Sequence, residues 1–466
     1  MDRGDSSFAG QRVTVMGLGR FGGGIAVVNF LLDSGARVTL TDLQPASGLE
    51  RSLSQIDVSR LESLVLGQHQ MEDFLSADLV VVSPALNPTR NRYTLAAIEH
   101  GIPLTSEIEI FWRNCRGSKI VVTGTVGKST TSTLIHAILN AAGKRVFLGG
   151  NIGVSLLPIV ENIREEDWVV LELSSFQLSQ LAAIKPAPEI ALVTNFRPNH
   201  LDWHPSIDDY RRCKENASRW QSCDQVTILN RDDEALRNWP GGGRRIGFGR
   251  SLQDGEYGAR VTPDGVLLQA DSGQRMIPFS QLPDPFQYRH LQENLAAALA
   301  VTGVCLELST QQLIDGIHKF EPLAHRLEVL PETGPITFVN DSKATTPEAT
   351  IAAVESLPDS IYLILGGKDK QVDLRPMCEA VSRRVRGVAC IGDVGATLAD
   401  YFRELTPDLP VEISANLDQA VEWAVERARP GDFVLLSPGC ASHSEFYNFE
   451  HRGDEFCRIV RERVTR

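Results

Sequence analysis

The sequence has little of what marks a membrane, secreted or nucleic-acid-binding chain. None of its apolar runs reaches the roughly 18 residues that a spanning helix needs, and Met1-Asp2-Arg3-Gly4-Asp5 lacks the basic-then-apolar pattern of a secretion signal. The expected location is therefore the cytoplasm, without membrane insertion. Eight cysteines, at 115, 213, 223, 305, 378, 390, 440 and 457, form no CxxC pair and have no histidine at metal-finger spacing. They read as reduced thiols, which excludes a disulfide framework and a zinc ribbon. Basic residues are outnumbered: 46 Lys and Arg stand against 59 Asp and Glu, a formal charge of −13. Wrapping DNA or RNA needs clustered cations that displace counterions, so no nucleic-acid partner is expected. A small anionic substrate is still compatible, because a local site can be positive on an acidic protein.

What is present is an ordinary globular composition, 42% hydrophobic and 23% charged, in a chain of 466 residues. Domains of roughly 100 to 200 residues would make it two to four units, and three are expected. Residues 12–113 alternate β-branched runs at Val13–Met16, Val38–Thr41 and Leu79–Val82 with amphipathic stretches. A second series opens at Lys119–Thr123 and continues through Trp168–Leu173, Ile190–Asn195 and Val226–Asn230. A Gly-rich β excursion near 245–280 then precedes an Ala-rich helix at 291–302. The pattern breaks, as at a hinge, around Glu321-Pro322-Leu323-Ala324-His325-Arg326, and a third series follows with Thr337–Asn340, Ile361–Leu365, Val388–Ile391 and Phe433–Leu436. Strands alternating with helices predict α/β domains with mainly parallel sheets, at 1–114, 115–324 and 325–466, whose ligands sit in the loops after the strands.

The segment Ile120-Val121-Val122-Thr123-Gly124-Thr125-Val126-Gly127-Lys128-Ser129-Thr130-Thr131 reads as strand, glycine turn and helix start. Glycines let backbone N–H groups curl round phosphates, the helix N-terminus favours negative charge, Lys128 adds a cation and the Ser129 hydroxyl suits Mg²⁺. It is a shortened loop, GxxGKS, because Val122 stands where the longer phosphate loop has its first glycine. ATP binding is expected at Gly124, Thr125, Gly127, Lys128, Ser129 and Thr130. Alone, the loop leaves ATPases, kinases and ligases open.

The loop resembles the TGTNGKST of the muramyl ligases and of the related folylpolyglutamate synthases, and the resemblance extends along the chain. Gly149-Gly150-Asn151-Ile152-Gly153 is similar to the family's GGNIG turn, and Leu171-Glu172-Leu173-Ser174-Ser175-Phe176-Gln177-Leu178 to its ELSSFQL strand end. Asn199-His200-Leu201-Asp202 followed by Tyr210 and Lys214 resembles the DHxD and YxxAK stretch whose lysine is carbamylated. Asn294, in RHLQEN, stands where the family has a nucleotide contact. Leu323-Ala324-His325-Arg326 resembles LPHR, Asn340-Asp341-Ser342-Lys343-Ala344-Thr345 is the NDSKAT motif unchanged, and Gly366-Gly367-Lys368-Asp369-Lys370 resembles GGxDK. Ser437-Pro438-Gly439-Cys440-Ala441-Ser442, with Asn448-Phe449-Glu450-His451-Arg452-Gly453, is similar to the SPACAS and NFExRG end of the members that add D-glutamate.

The resemblance implies a cytoplasmic, monomeric enzyme of peptidoglycan synthesis, and so of cell shape and division, using ATP and Mg²⁺ with UDP-N-acetylmuramoyl-L-alanine and D-glutamate as its small-molecule partners. Amide formation from a carboxylate needs a better leaving group than oxide, so ATP would phosphorylate the carboxylate and an amine displace phosphate. Lys128, Asn151, Glu172, His200 and Lys214 are then the expected catalytic residues, with Ser129, Glu172, His200 and carbamylated Lys214 holding the metal. A free lysine is a cation and ligates no metal, whereas its carbamate is an anion. Arg326 and Asp341 join the ATP contacts. Lys343, Thr345, Lys370, Ser442 and Phe449 are the D-glutamate set, since two carboxylates call for two cations with hydroxyl partners.

Near the start, Gly17-Leu18-Gly19-Arg20-Phe21-Gly22 follows a strand, and Asp42 ends the next strand 20 residues later. That spacing fits a dinucleotide fingerprint, so an NAD-dependent dehydrogenase is the competing reading from another class. It leaves everything after residue 115 without a purpose. Under the resemblance, Gly19, Arg20, Phe21, Gly22, Asp42 and Asn151 bind the UDP substrate instead. A different amino-acid adder, a folylpolyglutamate synthase and a non-catalytic UDP-sugar binder are the remaining alternatives.

Overall fold

The structure is a computed structural model that describes residues 8–19, 22–84, 86–197, 203–287, 289–321, 323–330, 334–369, 372–442 and 445–464, with the backbone alone at 287, 289, 290 and 464. Two compact units divide it, Met1–Gln281 with Leu295–Lys319, and Leu282–Asn294 with Phe320–Arg466. Three sheets carry the fold, two in the first unit and one in the second.

The β-branched runs at the start become β1 (Arg12–Met16), β2 (Arg37–Asp42), β3 (Ser63–Leu66), β4 (Leu79–Val82) and β5 (Leu104–Thr105). They form a five-stranded parallel sheet in the order β3-β2-β1-β4-β5. Side chains alternate across it. Val13, Val15 and Leu40 pack with the helix Gly23–Asp33 on one face, and Met16, Val80 and Val82 pack with Phe74 and Tyr93 on the other. The order reverses between β1 and β4, so the turn after β1 lies at a switch point where such sheets take ligands.

The second sheet has nine strands: β6 (Ser118–Thr123), β7 (Val146–Gly150), β8 (Trp168–Glu172), β9 (Ile190–Val193), β10 (Val226–Asn230), β11 (Arg244–Gly249), β12 (Gly258–Val261), β13 (Gly265–Ala270) and β14 (Gly273–Pro278). Their order is β14-β13-β12-β11-β10-β9-β6-β8-β7, parallel from β7 to β12 and antiparallel through β13 and β14. The Gly-rich excursion is thus an extension of the central sheet. β6 sits between β8 and β9, which puts the start of the helix Lys128–Ala141 at this sheet's switch point. The Ala-rich helix runs over Arg289–Leu299 and continues as a π-helical turn at Ala300–Cys305.

The second unit holds β15 (Glu328–Val329), β16 (Thr337–Asn340), β17 (Ile361–Gly366), β18 (Val385–Ile391), β19 (Val411–Ile413) and β20 (Phe433–Leu436), in the order β15-β16-β20-β17-β18-β19. Only β15 is antiparallel to its neighbour. Every residue of β17 is buried, as expected of a central parallel strand with helices on both faces. Where the sequence pattern breaks, His325 (φ 64°) and Leu327 (φ 45°) adopt left-handed backbone that non-glycine residues disfavour. Local bonds hold it there: His325 N–H donates to Glu328 Oε2 at 2.8 Å and Leu327 N–H to Asp341 Oδ1 at 3.2 Å.

In the turn after β1, Gly24 rather than Gly22 marks the tightest approach: a Cβ on it would meet the Leu18 carbonyl oxygen at 2.2 Å. Gly24→Ala is therefore expected to lower unfolding free energy by about 1–3 kcal/mol, the usual range for forced overpacking. Chemical denaturation checks this, and a wild-type midpoint would contradict it.

Candidate active site

The central constellation starts from the glycine loop after β6. Gly124 (φ 141°) cannot carry a side chain, since a Cβ would fall 2.0 Å from Thr194 Oγ1, and Gly127 (φ 82°) opens the helix in left-handed backbone. Asn195, just past β9, laces the loop: its Oδ1 accepts from the N–H groups of Thr125 (3.2 Å) and Val126 (3.0 Å), and its amide donates to the Val126 carbonyl at 3.0 Å. Thr194 Oγ1 donates to the same carbonyl at 2.6 Å. Lys128 Nζ donates to the Thr125 carbonyl at 2.7 Å. Ser129 is buried in the helix's first turn beside half-buried Thr130.

Two acidic and basic partners converge on this loop. Glu172, at the end of β8, is 1% exposed. Its Oε1 accepts from the Asn151 amide at 3.2 Å, and the Asn151 N–H donates to the Glu172 carbonyl at 2.7 Å. Gly150 permits this approach, because a Cβ there would lie 2.2 Å from that carbonyl oxygen. Lys214, on the helix Ile207–Glu215, is 2% exposed and donates Nζ to the Gly124 carbonyl at 2.6 Å. Burial first, and then the nearby Lys128 charge, push the Lys214 ammonium well below its ordinary range, while Glu172 pulls the other way. Lys128, Asn151, Glu172 and Lys214 are thus brought together as the sequence predicts. His200 lies outside the described residues.

At the first sheet, Gly19 (φ 64°) and Gly22 (φ 88°) shape the turn, and Gly22 caps the following helix in left-handed backbone. Asp42 faces inward on that turn: Oδ2 accepts from the N–H groups of Leu18 (2.9 Å) and Gly19 (3.2 Å), and Oδ1 accepts from Gln44 N–H at 2.8 Å. Its carboxylate holds the glycine turn to the end of β2. Arg20 and Phe21 lie outside the described residues.

In the second unit, the loops after β16, β17 and β20 are stitched by backbone bonds. Gly439 N–H donates to the Ala344 carbonyl at 2.9 Å, Gly366 N–H to Pro438 at 2.8 Å and Lys368 N–H to Ala441 at 2.9 Å. Lys343 is exposed with Nζ 5.0 Å above the Phe449 ring, a cation–π approach, while Thr345 is half-buried and Ser442 is 4% exposed. Asn294, Arg326 and Asp341 also belong to this unit. Asp341 is buried, its Oδ2 accepting from Ser437 Oγ at 2.8 Å. Burial pushes its carboxyl up to about 7 in spite of the hydrogen bonds from Ser437 and Leu327 N–H. Lys370 lies outside the described residues.

Sequence reasoning assigned no role to Asn195, His204, Tyr210 or Arg452. Arg452 is 1% exposed and binds two of the loops together, through Ser342 Oγ (3.0 Å), the Ser342 carbonyl (2.9 Å) and the Cys440 carbonyl (3.2 Å). Its position in the NFExRG-like end was the available signal.

Three family models match the chain: Mur ligase MurD-like, N-terminal domain, over residues 11–106; Mur ligase middle domain over 122–302; and Mur ligase, glutamate ligase domain, over 325–440. The UDP-N-acetylmuramoylalanine–D-glutamate ligase of Acidobacterium capsulatum is 34% identical over 461 residues, covering 97% of this chain and 96% of that protein. The ligase of the same name from Roseiflexus is 35% identical over 462 residues, covering 97% and 98%. Among solved structures, UDP-N-acetylmuramate-alanine ligase MurC of Thermotoga maritima matches with TM-score 0.57 at 17% identity over 98% of this chain and 100% of that one. MurF ligase of Thermotoga maritima in complex with ADP matches with TM-score 0.57 at 17% identity over 98% and 96%. These two establish likeness of fold.

The raised Asp341 carboxyl has a consequence for stability. Its folded value of about 7 lies above the ordinary 3.8, so the folded state holds a proton that the unfolded state releases between those values. The contribution is complete below the lower value and is lost as pH climbs through the upper one. Relative to Asp341→Asn, the wild type is expected to lose about 2–3 kcal/mol between pH 5 and pH 8. Denaturant titrations at both pH values check this, and parallel pH profiles would contradict it.

Proposed function

The chain belongs to the Mur ligase family, and on that premise we propose that it is the ATP-dependent ligase that joins D-glutamate to UDP-N-acetylmuramoyl-L-alanine in peptidoglycan precursor synthesis. The observation that carries the chemistry is the meeting of Lys128, Glu172 and Lys214 at one glycine loop. A cation, a buried carboxylate and a dehydrated amine at a helix N-terminus suit phosphoryl transfer to a carboxylate.

In this reading residues 1–114 bind the UDP substrate, 115–324 bind ATP and 325–466 bind the amino acid. The glycine turn at Gly19, Arg20, Phe21 and Gly22 receives the diphosphate, and Asp42 holds that turn in shape. N–H groups of Gly124 to Thr130 cradle the ATP phosphates. Lys128 leaves the Thr125 carbonyl for the transferring phosphoryl group. A carboxylate oxygen of the L-alanyl group bonds to the γ-phosphorus as ADP departs. The amine of D-glutamate then bonds to the acyl carbon, phosphate departs, and the amine proton passes to solvent. Lys343, Thr345, Lys370, Ser442 and Phe449 hold the two carboxylates and the chain of D-glutamate. The enzyme acts in the cytoplasm as a monomer; no described helix is long and apolar enough to cross a membrane.

The donor set fits Mg²⁺. Glu172 Oε2 is buried and has no hydrogen-bond partner among the described residues, which suits a hard oxygen ligand awaiting a cation. Ser129, Glu172, His200 and the carbamate of Lys214 would hold the ion. When bound, it supplies positive charge where anionic oxygens crowd together. Burial of Lys214 favours the neutral amine, the form that combines with carbon dioxide, and the resulting carbamate removes the repulsion from Lys128.

Phosphate release from ATP with UDP-N-acetylmuramoyl-L-alanine tests the assignment. Release should require D-glutamate and fall to background with L-alanine, L-lysine or diaminopimelate. Lys128→Ala should retain the wild-type melting profile and lose at least about 100-fold in turnover, as expected on deleting a cation from the transferring phosphoryl group. Equal release with another amino acid, or near-normal turnover of Lys128→Ala, would refute the assignment.

A further inference from the structure

His204 is completely buried, and both of its ring nitrogens are engaged. Nδ1 lies 2.9 Å from Asp209 Oδ2, and Nε2 lies 2.9 Å from Ser175 Oγ. With the imidazole neutral and Nδ1 carrying its proton, Nδ1–H donates to Asp209 and Nε2 accepts the Ser175 hydroxyl proton. The connectivity is that of a hydrolase triad, yet Ser175 is 2% exposed and is no nucleophile for an outside substrate. What the chain of bonds does is mechanical. Ser175 is the first residue of the helix Ser175–Leu181, three positions after Glu172, the last residue of β8. Asp209 lies in the first turn of the helix Ile207–Glu215, which carries Lys214 one and a half turns on. Aromatic rings close around the imidazole, with Phe176 stacked at 5.6 Å, Trp203 edge-on at 4.6 Å and Tyr210 at 5.1 Å. Tyr210 continues the link, its hydroxyl 3.2 Å from Thr125 Oγ1 and its ring 4.8 Å from Lys214 Nζ.

We propose that His204 is a positioning residue that clamps the strand end bearing Glu172 to the helix bearing Lys214, and so sets the spacing of these two groups at the phosphate loop. The proposal rests on the reading of Glu172 and Lys214 as metal-holding groups. A hydrogen-bonded group behind a metal ligand fixes the ligand's direction, and removing such a group weakens metal binding by about 10- to 100-fold. His204 presents one donor and one acceptor to its partners, and a glutamine amide offers the same pair.

The test compares Ser175→Ala, His204→Ala and His204→Gln with the wild type and with Lys214→Ala. Ser175→Ala removes one end of the clamp with a change of a single oxygen and keeps the comparison usable should His204→Ala not fold. Two readouts besides turnover are used: Mn²⁺ binding with ADP present, followed by electron spin resonance, and the carbamate signal from carbon-13 bicarbonate by NMR. Ser175→Ala and His204→Ala are expected to weaken Mn²⁺ binding and lower kcat about tenfold or more, with the ATP KM within about twofold, and His204→Gln to recover most of the loss. Wild-type Mn²⁺ affinity in a folded Ser175→Ala or His204→Ala, alongside a defective Lys214→Ala, overturns the clamp and leaves the ligand assignment standing. Wild-type Mn²⁺ affinity and turnover in Lys214→Ala overturn the ligand assignment itself, and the clamp with it.

Discussion

The amine of Lys214 rests on the carbonyl of Gly124, 2.6 Å away and out of reach of water. An isolated ammonium in such a place is strongly disfavoured, and the Lys128 charge nearby adds repulsion. Burial and the Lys128 charge thus both work against the charged form of Lys214, while Glu172 favours it. That constraint reaches outward. The Gly124 carbonyl is available only because the loop bends at φ 141°, the bend exists only with glycine there, and Thr194 and Asn195 hold the bent loop from the neighbouring strand. Glu172 approaches from the opposite neighbour, β8. The central strand β6 and its two neighbours thus deliver the loop, its braces and Glu172, while the helix Ile207–Glu215 brings Lys214 and the turn after β7 brings Asn151.

The second unit solves a similar problem with a different cation. Arg452 is as buried as Lys214, and it too is anchored mainly on main-chain oxygens, those of Ser342 and Cys440. Burial lowers its guanidinium to about 10, so it keeps its charge at neutral pH where a lysine in the same surroundings would be far more readily discharged. A charged fork ties two loops together in the second unit, whereas at the phosphate loop burial disfavours the charge of Lys214. Lys343 and Lys368 are exposed cations of that unit's loop cluster, and the Lys343 ammonium lies over the Phe449 ring.

The sequence made much of this legible, for physical reasons. The runs Val226–Asn230 and Phe433–Leu436 have the boundaries expected of them, because buried parallel strands carry largely apolar and β-branched residues. Short or half-buried strands were not apparent: β3 has four partly buried residues, and β7 ends in two glycines that look like a turn until the pairing with β8 is seen. Lys128 and Glu172 lie together because a switch point brings neighbouring strand ends together, whereas the place of Lys214 beside them was implied only by the family resemblance, since its helix alone reads as a solvated surface. What could not be read was direction. Asp42 ends β2 as its spacing implied, and its oxygens also accept from the Leu18, Gly19 and Gln44 N–H groups, which its spacing does not show. Asn195, His204 and Arg452 brace the loops and helices around them, and apart from the motif position of Arg452 it is contact geometry that distinguishes such residues from solvated loop positions.

The proposed function turns on one event, transfer of a phosphoryl group from ATP to a substrate carboxylate before the amide forms. The fate of the carboxylate oxygen reports on that event directly. UDP-N-acetylmuramoyl-L-alanine labelled with oxygen-18 in its terminal carboxylate is turned over with ATP and D-glutamate, and the released phosphate is examined by mass spectrometry. Activation through an acyl phosphate predicts phosphate carrying one labelled oxygen, taken from the substrate as the amine displaces it. Phosphate without label, formed while labelled product accumulates, would contradict the account.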